Sequence, residues 1–312
     1  MHSDTHFHFK ILREDEEWTR QTILQEMARS GFRFALDIGT DADDLPERQD
    51  LFEKTFAAME AAGDGANAAM DGKACAAACK KFIWFSAGIW PDPDSIKNRA
   101  ARVETLKKNV LAARASSDPF RKKLCALGEF GLDHHWNPSG ADGRSLDDFN
   151  AAMIAGEREL FMAQLALSKE LDLPAIIHSR DAAQETLECV KESGWGGRSV
   201  IHCYSYGLQE ARAFLDLGCM ISFSGSITYA KKSKVEEVRA LAAYIPKDRI
   251  LLETDAPYLA PVPLRGKANN PNYIEHTYKF AAEARGVPEE ELCQTVAENS
   301  QKFFGLPAAA IL

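Results

Sequence analysis

Short apolar runs and longer amphipathic stretches alternate along this chain. The first run, Ser3-Asp-Thr-His-Phe-His-Phe9, alternates polar or imidazole side chains with apolar ones and predicts a strand of period two. Residues 34–38, 82–87, 124–127, 174–177, 199–201, 220–223 and 249–252 are near-continuous apolar runs, the pattern of strands buried on both faces. Helical periodicity fills the intervals. Ile23, Leu24, Met27 and Ala28 mark one face of a helix over 18–30, with Gly31 placed to end it. Further helices are predicted over 45–62, 96–115, 210–217, 235–244, 274–285 and 289–304. Leu160, Ala163, Leu167 and Leu171 mark another, and Asp181 with Gln184 reads as a capping box for a helix that ends at Gly194.

Eight strands alternating with helices is the count of a closed (β/α)8 TIM barrel, an α/β fold whose active sites sit at the C-terminal rim of the strands. An open doubly wound sheet is the competing arrangement, but no glycine-rich phosphate fingerprint follows the first strand. The pattern shows no repeat, linker or second domain, so residues 1–312 read as one domain. Residues 63–79, rich in Ala and Gly, read as an insertion, and 134–150 as a polar loop.

Composition narrows the setting. The chain is 46% hydrophobic and 27% charged, an ordinary soluble mixture, and no apolar run approaches the roughly 20 residues of a membrane helix. The first strand begins so near Met1 that a secretory signal is not expected. Seven scattered cysteines, an odd number, suit a reducing cytoplasm, and Cys75 and Cys79 read as structural. A net charge of −9 argues against indiscriminate duplex binding but leaves room for a nucleic-acid substrate in a local metal-bearing pocket.

The chemistry lies at the strand ends. His6 and His8, two apart on a strand, point the same way. Glu129 follows the fourth strand, His178 ends the fifth, His202 ends the sixth, and Asp255 follows the eighth. A single strand-end histidine is commonly a packing residue; four imidazoles and two carboxylates at one rim point to metal. Six ligands exceed the three plus water of a catalytic zinc and suit two divalent ions, Mg, Mn or Zn, about 3.5–4 Å apart. The expected division gives His6, His8 and Asp255 to one ion, His178 and His202 to the other, and Glu129 to both. Water between them would be the nucleophile, with Asp255 accepting its proton. Arg180, Arg265 and Lys267 are candidates for binding phosphate, and Trp90, Trp136, Tyr204 and Tyr258 for stacking on unpaired bases.

These residues sit in motifs that jointly resemble the TatD-type metal-dependent deoxyribonucleases of the amidohydrolase-like barrels. The resemblance runs through Asp4-Thr-His-Phe-His8, Gly128-Glu-Phe-Gly-Leu-Asp133, Leu173-Pro-Ala-Ile-Ile-His-Ser-Arg-Asp181 and His202-Cys203. It continues in Ser222-Phe-Ser-Gly225, Leu252-Glu-Thr-Asp-Ala-Pro-Tyr-Leu-Ala-Pro261, Arg265-Gly-Lys-Ala-Asn269 and Glu298-Asn299. It implies a barrel, divalent metal on the six residues named, and phosphodiester hydrolysis, often as a 3′→5′ exonuclease on DNA, single-stranded or at 3′ ends. No membrane or obligate protein partner is expected. Lys10, His134, His135 and Tyr206 depart from the family pattern and bear on substrate preference. Two other readings fit the same ligands: a carbonyl hydrolase (an amidase, a lactonase or a D-aminoacyl-tRNA deacylase) and a non-catalytic metal-binding scaffold.

Overall fold

The computed structural model describes residues 1–62, 70–135, 137, 139 and 143–307. Its strands are β1 (Ser3–Phe7), β2 (Phe34–Asp37), β3 (Ile83–Ala87), β4 (Leu124–Asp133), β5 (Ala175–Arg180), β6 (Ser199–Ile201), β7 (Met220–Phe223) and β8 (Ile250–Leu252). They lie in one sheet in chain order, and Phe7 of β1 bridges in parallel to Ala256, just beyond β8. This is the connectivity of a (β/α)8 barrel, as the alternating pattern predicts. The helices are α1 (Arg20–Arg29), α2 (Leu45–Ala61), α3 (Gly72–Phe82), α4 (Pro93–Lys97), α5 (Arg99–Arg114) and α6 (Ala151–Leu171). They continue with α7 (Ala183–Ser193), α8 (Leu208–Asp216), α9 (Val235–Tyr244), α10 (Ile274–Arg285) and α11 (Glu289–Phe304). None among the described residues is long and apolar enough to cross a membrane.

The chain forms two compact units: a terminal one of Met1–Asp37, Pro46–Trp84 and Ser222–Leu312, and a central one of Ile38–Leu45 and Phe85–Ile221. In the terminal unit, the buried Tyr278 hydroxyl lies 3.2 Å from Ser3 N and 2.9 Å from Ser3 O, pinning the start of β1. At its other end, Asp37 accepts a hydrogen bond from Phe9 N at 2.9 Å and pairs with Arg48. Both charged side chains are buried, so each depends on the other. Phe9 stacks on Phe52 with ring centroids 3.8 Å apart. Cys79 donates its thiol to Leu24 O, and Cys75 is buried beside it, consistent with structural roles.

In the central unit, the Gln164 side chain accepts from Ile89 N at 2.8 Å and donates to Ile89 O at 3.0 Å, fastening α6 to the exit of β3. Three sequence expectations are corrected here. β4 runs on to Asp133 rather than stopping at 127, because Gly128 and Gly131 continue the strand instead of breaking it. The single helix expected over 96–115 is two helices. Asn98 leaves helical geometry and donates to Asp94 Oδ1 at 2.9 Å. Asp181 does not cap α7, whose N-cap is Ala182 with no side-chain bond. Residues 63–69 of the insertion lie outside the described residues; from Asp71, which caps it, the segment is α3.

Removing one partner of the Arg48–Asp37 pair strands a buried charge. Arg48→Ala is therefore expected to lower unfolding free energy by about 3–5 kcal/mol in urea titration, whereas Lys10→Ala, which breaks the exposed Lys10–Glu47 pair, changes it by less than about 1 kcal/mol.

Candidate metal centre

His6 lies on β1 and His8 one residue past its end. The chain beyond β8 runs alongside them: Asp255 N donates to His6 O at 2.9 Å and His8 N to Ala256 O at 2.8 Å. Asp255 adopts φ 56°, which turns the chain there. The result brings three donors together. His6 Nε2 and His8 Nε2 are 3.3 Å apart, and Asp255 Oδ1 is 3.6 Å from the first and 3.5 Å from the second. A tetrahedral ion with ligands at 2.0–2.1 Å needs donors roughly 3.3 Å apart, so this trio fits one ion. Beneath it, Asp4 accepts from Thr254 Oγ1 at 2.6 Å, Thr254 N at 2.9 Å and His6 N at 3.2 Å. Complete burial pushes the Asp4 carboxyl up to about 8 despite those bonds.

The second trio belongs to the central unit. Glu129 Oε2 lies 2.7 Å from His202 Nε2 and 3.7 Å from His178 Nδ1, and the two imidazole nitrogens are 3.1 Å apart. His178 turns its other nitrogen, Nε2, to Asp133 Oδ2 at 3.0 Å. A carboxylate behind a histidine fixes the ring and raises its basicity as a ligand. Asp133 is itself held by Arg144 at 3.0 Å, and Arg144 donates to Asp133 O at 2.6 Å and His135 O at 2.9 Å. The Arg144 guanidinium lies 4.9 Å from the Trp90 ring centroid and 5.0 Å from that of Phe149. Burial works against the charge on Asp133, but the hydrogen bond from His178 and the Arg144 cation outweigh it and hold the carboxyl down at about 2. Burial likewise opposes charge on His178, yet Asp133 and Glu129 lift that imidazole to about 9. Gly131, opposite His178 in the β4–β5 register, makes the approach possible: a Cβ there would sit 1.8 Å from His178 O.

All six residues proposed from sequence thus fall into two trios, each of two imidazoles and one carboxylate, with donor atoms within 4.8 Å of one another. Only nitrogen and oxygen donors are offered, and two imidazoles to one carboxylate suit zinc or another transition ion better than magnesium. Arg180 ends β5, exposed, with no side-chain partner among the described residues. The acids that would compete for it are engaged elsewhere: Asp181 pairs with His135 at 2.7 Å and Glu185 with His134 at 3.0 Å. Arg265 and Lys267 are exposed on the loop after β8. Trp90 stands 6.2 Å from His178, and Tyr258, 52% exposed, 6.2 Å from His8. Tyr204 is not available for stacking, because it is buried and donates to Gly207 O at 2.6 Å. Trp136 lies outside the described residues. Tyr206 binds inward, its hydroxyl 2.8 Å from Ser179 Oγ and 3.2 Å from Ala182 N. Asp4, Asp133 and Arg144 were given no role by the sequence reading. Asp133 carried a usable signal, since residues 129, 131 and 133 of one strand point the same way.

Metal must displace the proton from His178, so affinity at the central trio is expected to rise with pH up to about 9. In Asp133→Asn the lowered basicity of His178 moves that profile to lower pH, and maximal affinity falls about 10–100-fold. Manganese titration of chelated protein from pH 6 to 10 measures both.

The chain matches the family described as TatD related DNase over residues 3–305. It is 35% identical over 232 residues to YcfH of Escherichia coli strain K12, named an uncharacterized metal-dependent hydrolase, a match covering 73% of this chain and 76% of that protein. It is 33% identical over 236 residues to a Rahnella protein (strain Y9602) named 3'-5' ssDNA/RNA exonuclease TatD, covering 73% and 79% of the two chains. The crystal structure of YJJV, a TatD homolog from E. coli K12, aligns with a TM-score of 0.71 at 26% identity over 98% of both chains. Matched along almost its whole length, with two His/carboxylate trios at its strand ends, the chain belongs to the TatD-related DNase family.

Proposed function

We propose that this metal-dependent hydrolase is a phosphodiesterase that removes nucleotides from DNA ends, working 3′→5′ on single strands. The observation that carries the reading is the pair of trios, His6/His8/Asp255 and Glu129/His178/His202, each able to hold one divalent ion. Catalytic groups of a β/α barrel gather at the C-terminal ends of its strands, so both trios are assigned to one reaction. The family description and the name of the Rahnella relative support nucleic acid as substrate. Exposed Arg180, Arg265 and Lys267 favour a phosphate over a neutral carbonyl compound.

Two divalent ions, when bound, supply activation of water near neutral pH and neutralisation of phosphoryl charge. The protein does the rest. His6, His8, His178 and His202 bind as neutral imidazoles, and His178 is oriented by Asp133. Asp255, itself a member of the first trio and buried, accepts the proton of the attacking water. Arg180 orients a non-bridging phosphate oxygen through its guanidinium fork.

End-labelled single-stranded DNA, given to chelated protein with Mg²⁺, Mn²⁺ or Zn²⁺ restored separately, is the test. Stepwise loss of mononucleotides from the 3′ end is expected only with metal, and Glu129→Ala or His202→Ala is expected to reduce it roughly 100-fold or more while thermal unfolding stays cooperative. Failure to cleave with any metal, by protein carrying two ions, would overturn the nuclease reading and leave carbonyl hydrolysis.

A further inference from the structure

Acidic residues number 46 among 312 in this chain, yet the segments 224–235 after β7 and 256–273 after β8 contain none. They carry instead Lys231, Lys232 and Lys234 on the first, and Arg265 and Lys267 on the second, all exposed. Both segments belong to the terminal unit. The three lysines and Lys267 have no side-chain ion pair among the described residues, although the surface elsewhere is rich in pairs such as Lys107–Glu170 and Arg158–Glu192. In a protein of net charge −9, five cations on two loops that themselves carry no carboxylate are a local concentration of positive charge, bounded by exposed Glu236 and Glu237 at the start of α9.

The two loops are also fastened together. Val262 N donates to Thr228 Oγ1 at 2.8 Å, and the Tyr229 hydroxyl donates to Ala260 O at 2.7 Å. Gly225 packs so closely that a Cβ there would sit 2.2 Å from Leu259 O. The Arg265 guanidinium lies over the Tyr229 ring, 4.2 Å from its centroid, which brings the cation of the second loop to within two residues of Lys231 on the first. The lysines are presented on a tight turn, Lys234 N donating to Lys231 O at 2.7 Å. The second loop is tied back to the metal trio: Tyr258 N donates to Asp255 O at 2.8 Å, and Asn269 Nδ2 donates to Tyr258 O at 2.6 Å and Thr254 O at 2.9 Å. Exposed Tyr258 therefore stands beside the His6/His8/Asp255 trio, on the same loop as Arg265 and Lys267.

We propose that these two loops form the platform for the body of the nucleic-acid strand: Tyr258 stacks on a base next to the scissile phosphodiester, and Arg265, Lys267, Lys231, Lys232 and Lys234 neutralise successive phosphates leading away from it. The proposal rests on the nuclease reading and adds to it the strand's path. A cationic track with an aromatic step is how single strands are bound without regard to sequence. Such a track predicts little discrimination between bases and a steep dependence on salt, because each neutralised phosphate releases counterions.

The test compares wild type with the combined Lys231→Ala/Lys232→Ala/Lys234→Ala variant on a hexanucleotide and a dinucleotide. In wild type, kcat/KM is expected to favour the hexanucleotide, because only it reaches the lysines. In the variant that ratio falls toward one, and the slope of log kcat/KM against log salt for the hexanucleotide becomes shallower by about 2, at roughly 0.7 per phosphate contact. The dinucleotide reports on folding and on the metal centre in the same protein. An unchanged ratio and an unchanged slope overturn the platform. Anisotropy of a labelled single strand with chelated protein separates this from failure of the nuclease reading. If neither protein cleaves DNA, salt-dependent binding that weakens in the variant still supports the platform, and equal binding or none overturns it.

Discussion

Buried aspartate is the constraint on which this molecule depends. A carboxyl group removed from water is costly until its polar atoms find partners, so it draws surrounding groups into fixed positions. Asp4 gathers Thr254 and His6, and so binds the start of the chain to the segment carrying Asp255. Asp37 gathers Arg48 and the amide of Phe9, directly after His8. Asp133 gathers His178, Arg144 and the amide of His135. None of the three belongs to a trio, yet Asp4 bonds the amide of His6, Asp133 the ring of His178, and Asp37 the residue that follows His8. Precision in the donor atoms is thus produced one layer below them.

The same layer sets charge. Placing an imidazole between two carboxylates makes it a strong base, and a strong base is a strong ligand once its proton is removed. His178 is in that position, with Glu129 Oε2 3.7 Å from one ring nitrogen and Asp133 Oδ2 3.0 Å from the other. The histidines that depart from the family pattern serve a different end. His134 spans Glu157 and Glu185 while His135 meets Asp181, so the exits of β4 and β5 are joined by these side-chain pairs.

Much of this was legible in the chain. Strands buried on both faces announce themselves as apolar runs, and residues at their ends inherit a common direction, so the eight-strand order and the six residues of the two trios could be read before any coordinates. What could not be read depends on partners distant in sequence. Asp4 and Thr254 are 250 positions apart, and nothing local distinguishes Asp4 from an ordinary strand-edge acid. Asp181 has the spacing of a helix cap but adopts φ 55° and gives its carboxylate to His135. Tyr204 follows a strand end as a stacking residue would, and only packing shows its ring turned inward. Gly128 and Gly131 look like strand breakers; against β5, Gly131 is required by the nearness of a neighbouring backbone.

The trios differ in when they can exist. Glu129, His178 and His202 leave the ribosome in one continuous stretch of synthesis, whereas His6 and His8 wait for Asp255, made when most of the polypeptide is already out. A nascent or prematurely terminated chain that stops short of Asp255 can complete at most the central trio. Competence for chemistry that uses both therefore arrives only once synthesis has passed Asp255, long after the central trio is out.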